Sequence, residues 1–516
     1  MTAGRAALFA GLLAAAVAAP SLRNGFVADD QWVVAQRPLL KQPPSVGWVF
    51  TEPYWPRNFG GVMWRPAVLA SFALDYQLGG SEPWFHLMNV LWAGLAAAFL
   101  TLVACRVAEP MTGLVTGLLF AVHPVHVEAV ANVVGRADLM AAAGYAAALL
   151  FAMAAERRRA ALIGVALCAT FAILSKEHVA TLPAAVVLVY VGRRVPWRAA
   201  ILPAAVAALP ILAYFVARPA LGQASLQSGG LAPGLEHLGM LARAWAMVPI
   251  SLEWWRLLLF PAHLSSDYSP GDIVVSTGFT VWHLIGLAVW AGMGWAAWRW
   301  RRTVPGVAIG IAWLVITLSP IANVVVPTEF YVAERTLYLP SWGVCFALAA
   351  LGMAWRAPVR LRGPVLAAVL VAGAARSLYR VPVWHDDEAL YRAVTHDAPR
   401  SYRTLWFVGR DEFQAGHPGT GEGLIRAAIK LAPEVNGPRY DLAMYYARAG
   451  LVPAAVQQLR DAIAVDSGFA PAWAMLPQLL LAAGDTVGAR REAEAALRRF
   501  PADRTVAASA NAVLRR

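Results

Sequence analysis

From its first residues to about Tyr379, this chain is a succession of Ala/Leu/Val/Trp runs. Most of them are near the roughly 20 residues that a helix needs to cross a hydrocarbon core. A chain patterned this way has little choice but to span a membrane repeatedly. After Arg380 it turns polar, with Arg, Asp and Glu in helical patterns. The expected fold class is therefore all-α: a polytopic membrane body over 1–379, then a soluble helical tail over 380–516. Composition agrees, with 59% hydrophobic and 14% charged residues, against about 45–50% and about 25% in soluble domains.

The net charge of +12 does not point to nucleic acid. Much of it sits in clusters such as Arg157-Arg158-Arg159 and Arg299, Arg301 and Arg302, which punctuate apolar runs as topology anchors do. Basic residues of the tail are scattered over helices, so nucleic acid is excluded as a partner. Cys105, Cys168 and Cys345 lie in or beside apolar runs and form neither zinc spacing nor a disulfide framework. Residues 1–20 resemble a signal peptide, but the topology requires them to stay as a first helix.

With Arg5 inside by the positive-inside rule, a span over 6–22 carries Asp29 and Asp30 outside. Spans over 85–104, 111–127 and 139–155 follow, and two more bracket the segment from Ser175 to His178. The seventh covers 199–216. The stretch 245–260 carries Glu253 and Arg256, and its crossing would put Arg299 to Arg302 outside. It is therefore expected to be re-entrant or interfacial. Spans over 281–298, 304–320, 337–355 and 364–379 complete eleven crossings, with the tail outside. The outer face then gathers Asp29, Asp30, Arg65, His86, His123, His126, Glu128, Arg136, Asp138, Lys176, Glu177, His178, Asp267, Glu334 and Arg335.

The tail repeats. Pro399, Pro433, Ser467 and Pro501 are each 34 residues apart, as are Gly416, Gly450 and Gly484. That is the period of tetratricopeptide (TPR) repeats, paired helices with a Gly at the tight turn and small Ala positions at the packing faces. About three repeats make a short platform for a partner or substrate.

The charged motifs of the body read as chemistry. Asp29-Asp30 supplies a candidate general base, the kind of group that contributes about 10²–10⁴-fold when placed against an acceptor hydroxyl. A turn or helix cap is the competing reading. Arg65, in Trp64-Arg65-Pro66, can fork onto a carboxylate or phosphate, or anchor an interface. His123-Pro124-Val125-His126-Val127-Glu128 puts two histidines three apart, a pair with metal-binding spacing but no assured third ligand. Arg136 opens a span and suits a phosphate, aided by the positive end of that helix; Asp138 stabilises the helix start or holds Arg136. Lys176-Glu177 and Glu334-Arg335 read first as ion pairs. Lys176 and Arg335 are also candidates for a phosphate leaving group, which needs positive charge where negative charge develops.

The ordered set resembles the transmembrane and tetratricopeptide-repeat O-mannosyltransferases, within the GT-C class of membrane glycosyltransferases. It comprises Asp29-Asp30, Trp64-Arg65-Pro66, the His123 to Glu128 run and Val134-Gly135-Arg136-Ala137-Asp138. It continues through Leu174-Ser175-Lys176-Glu177, Leu264 to Ser269, Val332 to Pro340, and the repeats. The resemblance implies transfer of a sugar, most often mannose, from a polyprenyl-phosphate donor to a Ser/Thr hydroxyl on the outer face. By the same resemblance Asp29 is the base and Asp30 assists the acceptor or fixes geometry. Arg136, Lys176 and Arg335 would hold the donor phosphate. Arg65, His123, His126, Glu128, Asp138, Glu177 and Glu334 would line the site. No metal or other cofactor is implied; the partners are the lipid-linked donor, membrane lipids and a protein acceptor brought by the repeats. The Ala/Gly/Arg/Val bias is that of a high-GC bacterium, which would make the membrane an inner membrane and the outside a periplasm. Alternatives are another polyprenyl-phosphate sugar, a glycan or lipid acceptor, and a non-enzymatic membrane-anchored repeat scaffold. A transporter would carry its charges at the bilayer midplane, whereas these lie at span ends.

Overall fold

The computed structural model describes residues 1–42, 47–56, 63–220, 232–356, 358–501 and 503–515. Among them there is no β-strand, only an isolated bridge between Pro270 and Ile273. The all-α expectation holds.

All eleven stretches expected to cross are helical, but they differ in length. Seven are long and apolar enough by themselves: Ala3–Arg23, Glu82–Val107, Val133–Ala155, Trp197–Pro219, Val281–Trp300, Glu334–Ala354 and Arg360–Trp384. The count becomes eight if Pro110–Ala121 and Pro124–Ala131, bent by 55° at their junction, form one span. Ala161–Ile173, Glu177–Gly192 and Pro305–Ile321 are apolar but shorter. The bend has a local cause: Pro124 has no N–H to give to the preceding turn, so the helix stops at Ala121 and restarts. Met240–Leu259 is helical, contains Pro249, and is not among the candidate spans. Its Glu253 and Arg256 form an ion pair one turn apart at 2.6 Å.

The chain divides into two compact units. The first comprises Met1–Leu231, Leu238–Ser266 and Ser276–Ala393. Its core is built largely from Ala on tightly approaching helices, filled by a few large rings such as Trp313 and Trp342, with centroids 4.3 Å apart. The compact unit ends at Ala393, beyond the expected limit at residue 379. Val381 and Trp384 are buried against Val27, Val127 and Ala131, and the Ala28 N–H donates to Asp387 at 2.7 Å.

The second unit comprises Ala232–His237, Asp267–Val275 and Val394–Arg516. Three helix pairs follow the period read from the sequence: Tyr402–Gln414 with Pro418–Leu431, Gly437–Arg448 with Val452–Val465, and Ala470–Ala482 with Thr486–Arg499. Arg504–Leu514 caps the last. Gly416, Gly450 and Gly484 close the first helix of each pair at φ +84°, +76° and +82°, the left-handed region where a Cβ is penalised. Ala455, Ala462, Ala489 and Ala493 are buried between the helices. The segment from Asp267 belongs to this unit: Arg403 reaches Asp267 at 3.1 Å, and the Tyr402 N–H donates to Pro270 at 2.8 Å.

Candidate active site

Asp29 and Asp30 follow Ala28, whose φ of +46° is costly for an alanine. Two contacts hold that backbone: the Asp387 bond already noted, and the Asp30 carboxylate. Asp30 is fully buried and accepts the N–H groups of Val27, Val133 and Val134 at 3.3, 3.1 and 2.7 Å. Burial pushes its pKa up to about 7, against the opposing pull of those three bonds. Asp30 thus ties the first loop to the turn at 132–134, while Asp29 remains half-buried on the cavity side.

The turn itself is pinned from behind. Gly135 passes so close to Ala129 that an added Cβ would lie 2.3 Å from its carbonyl oxygen. Asn89 shares its amide N–H groups among the carbonyls of Val130, Asn132 and Val133, and its Oδ1 accepts from Arg136 Nε at 2.8 Å. Arg136 is fully buried. It pairs with Asp75, donates to the Phe85 carbonyl at 2.8 Å, and lies over the Phe72 and Phe85 rings. The expectation of a phosphate contact at Arg136 therefore meets a different placement: the guanidinium points into the protein, with every nitrogen engaged.

A cavity of about 260 Å³ opens where the helix ends meet. Asp29 and Val33 line it after the first helix, and Val134 and Asp138 at the 132–138 turn. Lys176, Glu177 and His178 reach it from the break between two shorter apolar helices. Arg335 and Thr336 precede the helix Tyr338–Ala354, and Arg65 and Tyr54 come from the first long loop. Of the expected site residues, Asp29, Arg65, Asp138, Lys176, Glu177 and Arg335 are brought together here.

Each cation on the wall has a carboxylate. Arg65 binds Glu177 at 2.9 Å, and Lys176 binds Asp138 at 2.6 Å. Arg335 pairs with Glu128, whose other oxygen accepts the Arg335 backbone N–H at 2.9 Å. Arg335 is the most open of the three, with 31% of its side chain exposed against 11% for Arg65 and 13% for Lys176. Burial pulls the Lys176 ammonium below its usual range, with Asp138 opposing. Tyr214 donates to the Trp64 carbonyl at 2.8 Å and lies 3.1 Å from Glu177, fixing that carboxylate from the far side.

Four expected lining residues are elsewhere. Glu128 lies behind the wall on Arg335, and Glu334 is buried, accepting the Ser265 N–H at 2.7 Å. His123 and His126 face a separate void of about 30 Å³, room for about one water. His123 Nε2 is 3.1 Å from the Leu258 carbonyl, and His126 Nε2 is 2.8 Å from Ser341 Oγ. The break at Pro124 turns this stretch inward, so its polar atoms are used in packing. Among the described residues, no three His, Cys, Asp or Glu side chains converge as a metal site. The sequence reading missed the wall made by 320–330, to which Thr328, Glu329 and Phe330 belong.

Residues 66–223 match the family described as dolichyl-phosphate-mannose-protein mannosyltransferase. The Mus musculus protein O-mannosyl-transferase TMTC4 is 27% identical over 491 residues, covering 80% of this chain and 64% of that protein. Mus musculus TMTC1 is 38% identical over 147 residues, 27% of this chain and 16% of that protein. The chain thus spans less than two thirds of the length of these relatives. Among solved structures, the Archaeoglobus fulgidus oligosaccharyltransferase aligns with 82% of this chain and 60% of its own, at 12% identity and a TM-score of 0.39, too low to carry an argument. This multi-pass membrane protein is thus similar, over 80% of its length, to proteins named protein O-mannosyl-transferases.

Proposed function

We propose that this protein transfers a single sugar, mannose in the first instance, from a polyprenyl-phosphate donor to a Ser or Thr hydroxyl of a protein, on the outer face of the membrane. The observation that carries the reading is the cavity that joins the half-buried carboxylate of Asp29 to three cations, two of them, Lys176 and Arg335, at the starts of apolar helices. The naming of the relatives as protein O-mannosyl-transferases supports it.

In this reading Asp29 takes the proton of the acceptor hydroxyl, and the freed oxygen bonds to the anomeric carbon from the side opposite the phosphate. The carbon–oxygen bond to phosphate breaks, and its electron pair leaves on the carrier lipid phosphate. Arg335, the most open cation, meets that charge first, with Lys176 beside it. Such preset positive charge lowers a barrier more than the same charge in water. Asp30 holds the loop that presents Asp29. The repeats recruit the acceptor protein.

The test uses full-length protein in lipid nanodiscs, with radiolabelled polyprenyl-phosphate mannose and secreted-protein acceptors. Asp29→Asn is expected to lower transfer about 10²–10⁴-fold while donor binding persists; Arg335→Met is expected to weaken donor binding. Unchanged transfer by Asp29→Asn would remove the assigned base.

A further inference from the structure

The cavity wall missed in the sequence is a strap, and the strap is held by a residue far from it in the chain. Asn323 is fully buried at φ +57°, a backbone that Asn tolerates better than most residues. Its Oδ1 accepts the Thr328 N–H at 2.6 Å, and its Nδ2 donates to the Phe330 carbonyl at 2.9 Å. One side chain therefore closes residues 323–330 into a compact loop. That loop delivers Val326, Pro327, Thr328, Glu329 and Phe330 to the cavity.

The loop is latched from outside by Arg243, in the first turn of Met240–Leu259. Arg243 Nε donates to the Asn323 carbonyl and Nη2 to the Val324 carbonyl, both at 3.1 Å, and Nη1 to the Leu238 carbonyl at 3.1 Å. A planar fork spanning successive carbonyls is a task for Arg that Lys cannot reproduce. At the other end of the strap, Phe330 lies under the Arg335 guanidinium, 5.5 Å away. The latch therefore sets a wall that also touches the most open cation.

We infer that Arg243 and Asn323 are positioning residues for the cavity: they fix the strap 323–330 as the wall against which the sugar of the donor is seated. This rests on the proposed sugar transfer for its substrate, but the latch itself does not. The helix Met240–Leu259, which is not among the candidate spans, acquires a task as the strut of the site.

The experiment pairs two readouts on full-length protein in nanodiscs, for wild type, Arg243→Ala and Arg243→Lys. Hydrogen exchange over residues 320–336 is expected to speed up at least tenfold in Arg243→Ala and by less in Arg243→Lys, with the membrane helices unchanged. In transfer assays with polyprenyl-phosphate mannose, KM for the donor is expected to rise about tenfold in Arg243→Ala with kcat nearly kept, and Arg243→Lys to recover part of it. Unchanged exchange in the strap overturns the latch. Unchanged donor KM with a loosened strap overturns the seating of the sugar. If wild type transfers no sugar, the proposed activity fails, and the exchange result still decides the latch.

Discussion

Arg136 and Arg335 stand in equally dense motifs, yet their side chains go to opposite places. Arg136 follows Gly135, where the close pass of Ala129 turns the chain sharply and sends the guanidinium back toward Asp75 and the Phe72 and Phe85 rings. Arg335 is fixed through its backbone by Glu128 and projects into the cavity. Nothing in the spacing of charges distinguishes the two, because the direction of a side chain around an irregular turn is set by contacts distant in sequence. Asp29 and Lys176 were legible for the opposite reason: each stands at a helix break that has to open onto the common end of the spans. The buried placement gives a prediction. Arg136→Met leaves the Asp75 carboxylate buried and unpaired, a loss of about 3–5 kcal/mol. The double variant with Asp75→Asn recovers part of it, as thermal unfolding in detergent will show. A raised donor KM at unchanged stability would instead return Arg136 to the phosphate.

At the scale of elements, period and length were what the sequence made readable. A 34-residue repeat fixes where paired helices turn, and the three glycines at those turns have the positive φ that the pattern demands. Gly450 has no heavy atom within 4 Å of a Cβ built on it, so replacing it costs only backbone conformation. Gly450→Ala is expected to destabilise the pair Gly437–Arg448 and Val452–Val465 by about 1–2 kcal/mol, and Gly450→Asn by less. Hydrogen exchange of those two helices measures both, and equal effects would count against the conformational cause. The loop 320–330 lacked any such signal. It has neither a charge motif nor periodicity, and its shape depends on Asn323 and on Arg243, a helix away.

For the whole molecule, cavity and arginines alternate along helices of the first unit: Arg136–Ala155 runs from Asp138 at the cavity to Arg157-Arg158-Arg159, and Tyr338–Ala354 from Arg335 to Arg356. That alternation needs Met240–Leu259 not to cross. With native cysteines replaced, thiols introduced by Ser81→Cys and Thr277→Cys are expected to label from one side of sealed vesicles, and those from Arg158→Cys and Arg302→Cys from the other. Labelling of the Arg302→Cys protein on the same side as the Ser81→Cys protein would mean that Met240–Leu259 spans. The couples at the cavity, Arg65 with Glu177, Lys176 with Asp138 and Arg335 with Glu128, carry a further consequence. Much of the lining charge is already compensated before any ligand arrives, so a phosphate must compete with a resident carboxylate rather than fall into an electrostatic hole. Small anions from the medium find little to hold them. Under the proposed transfer, the carboxylates would reclaim their cations once the sugar had moved, and the same competition that made the donor hard to seat would loosen the spent carrier for the next turnover.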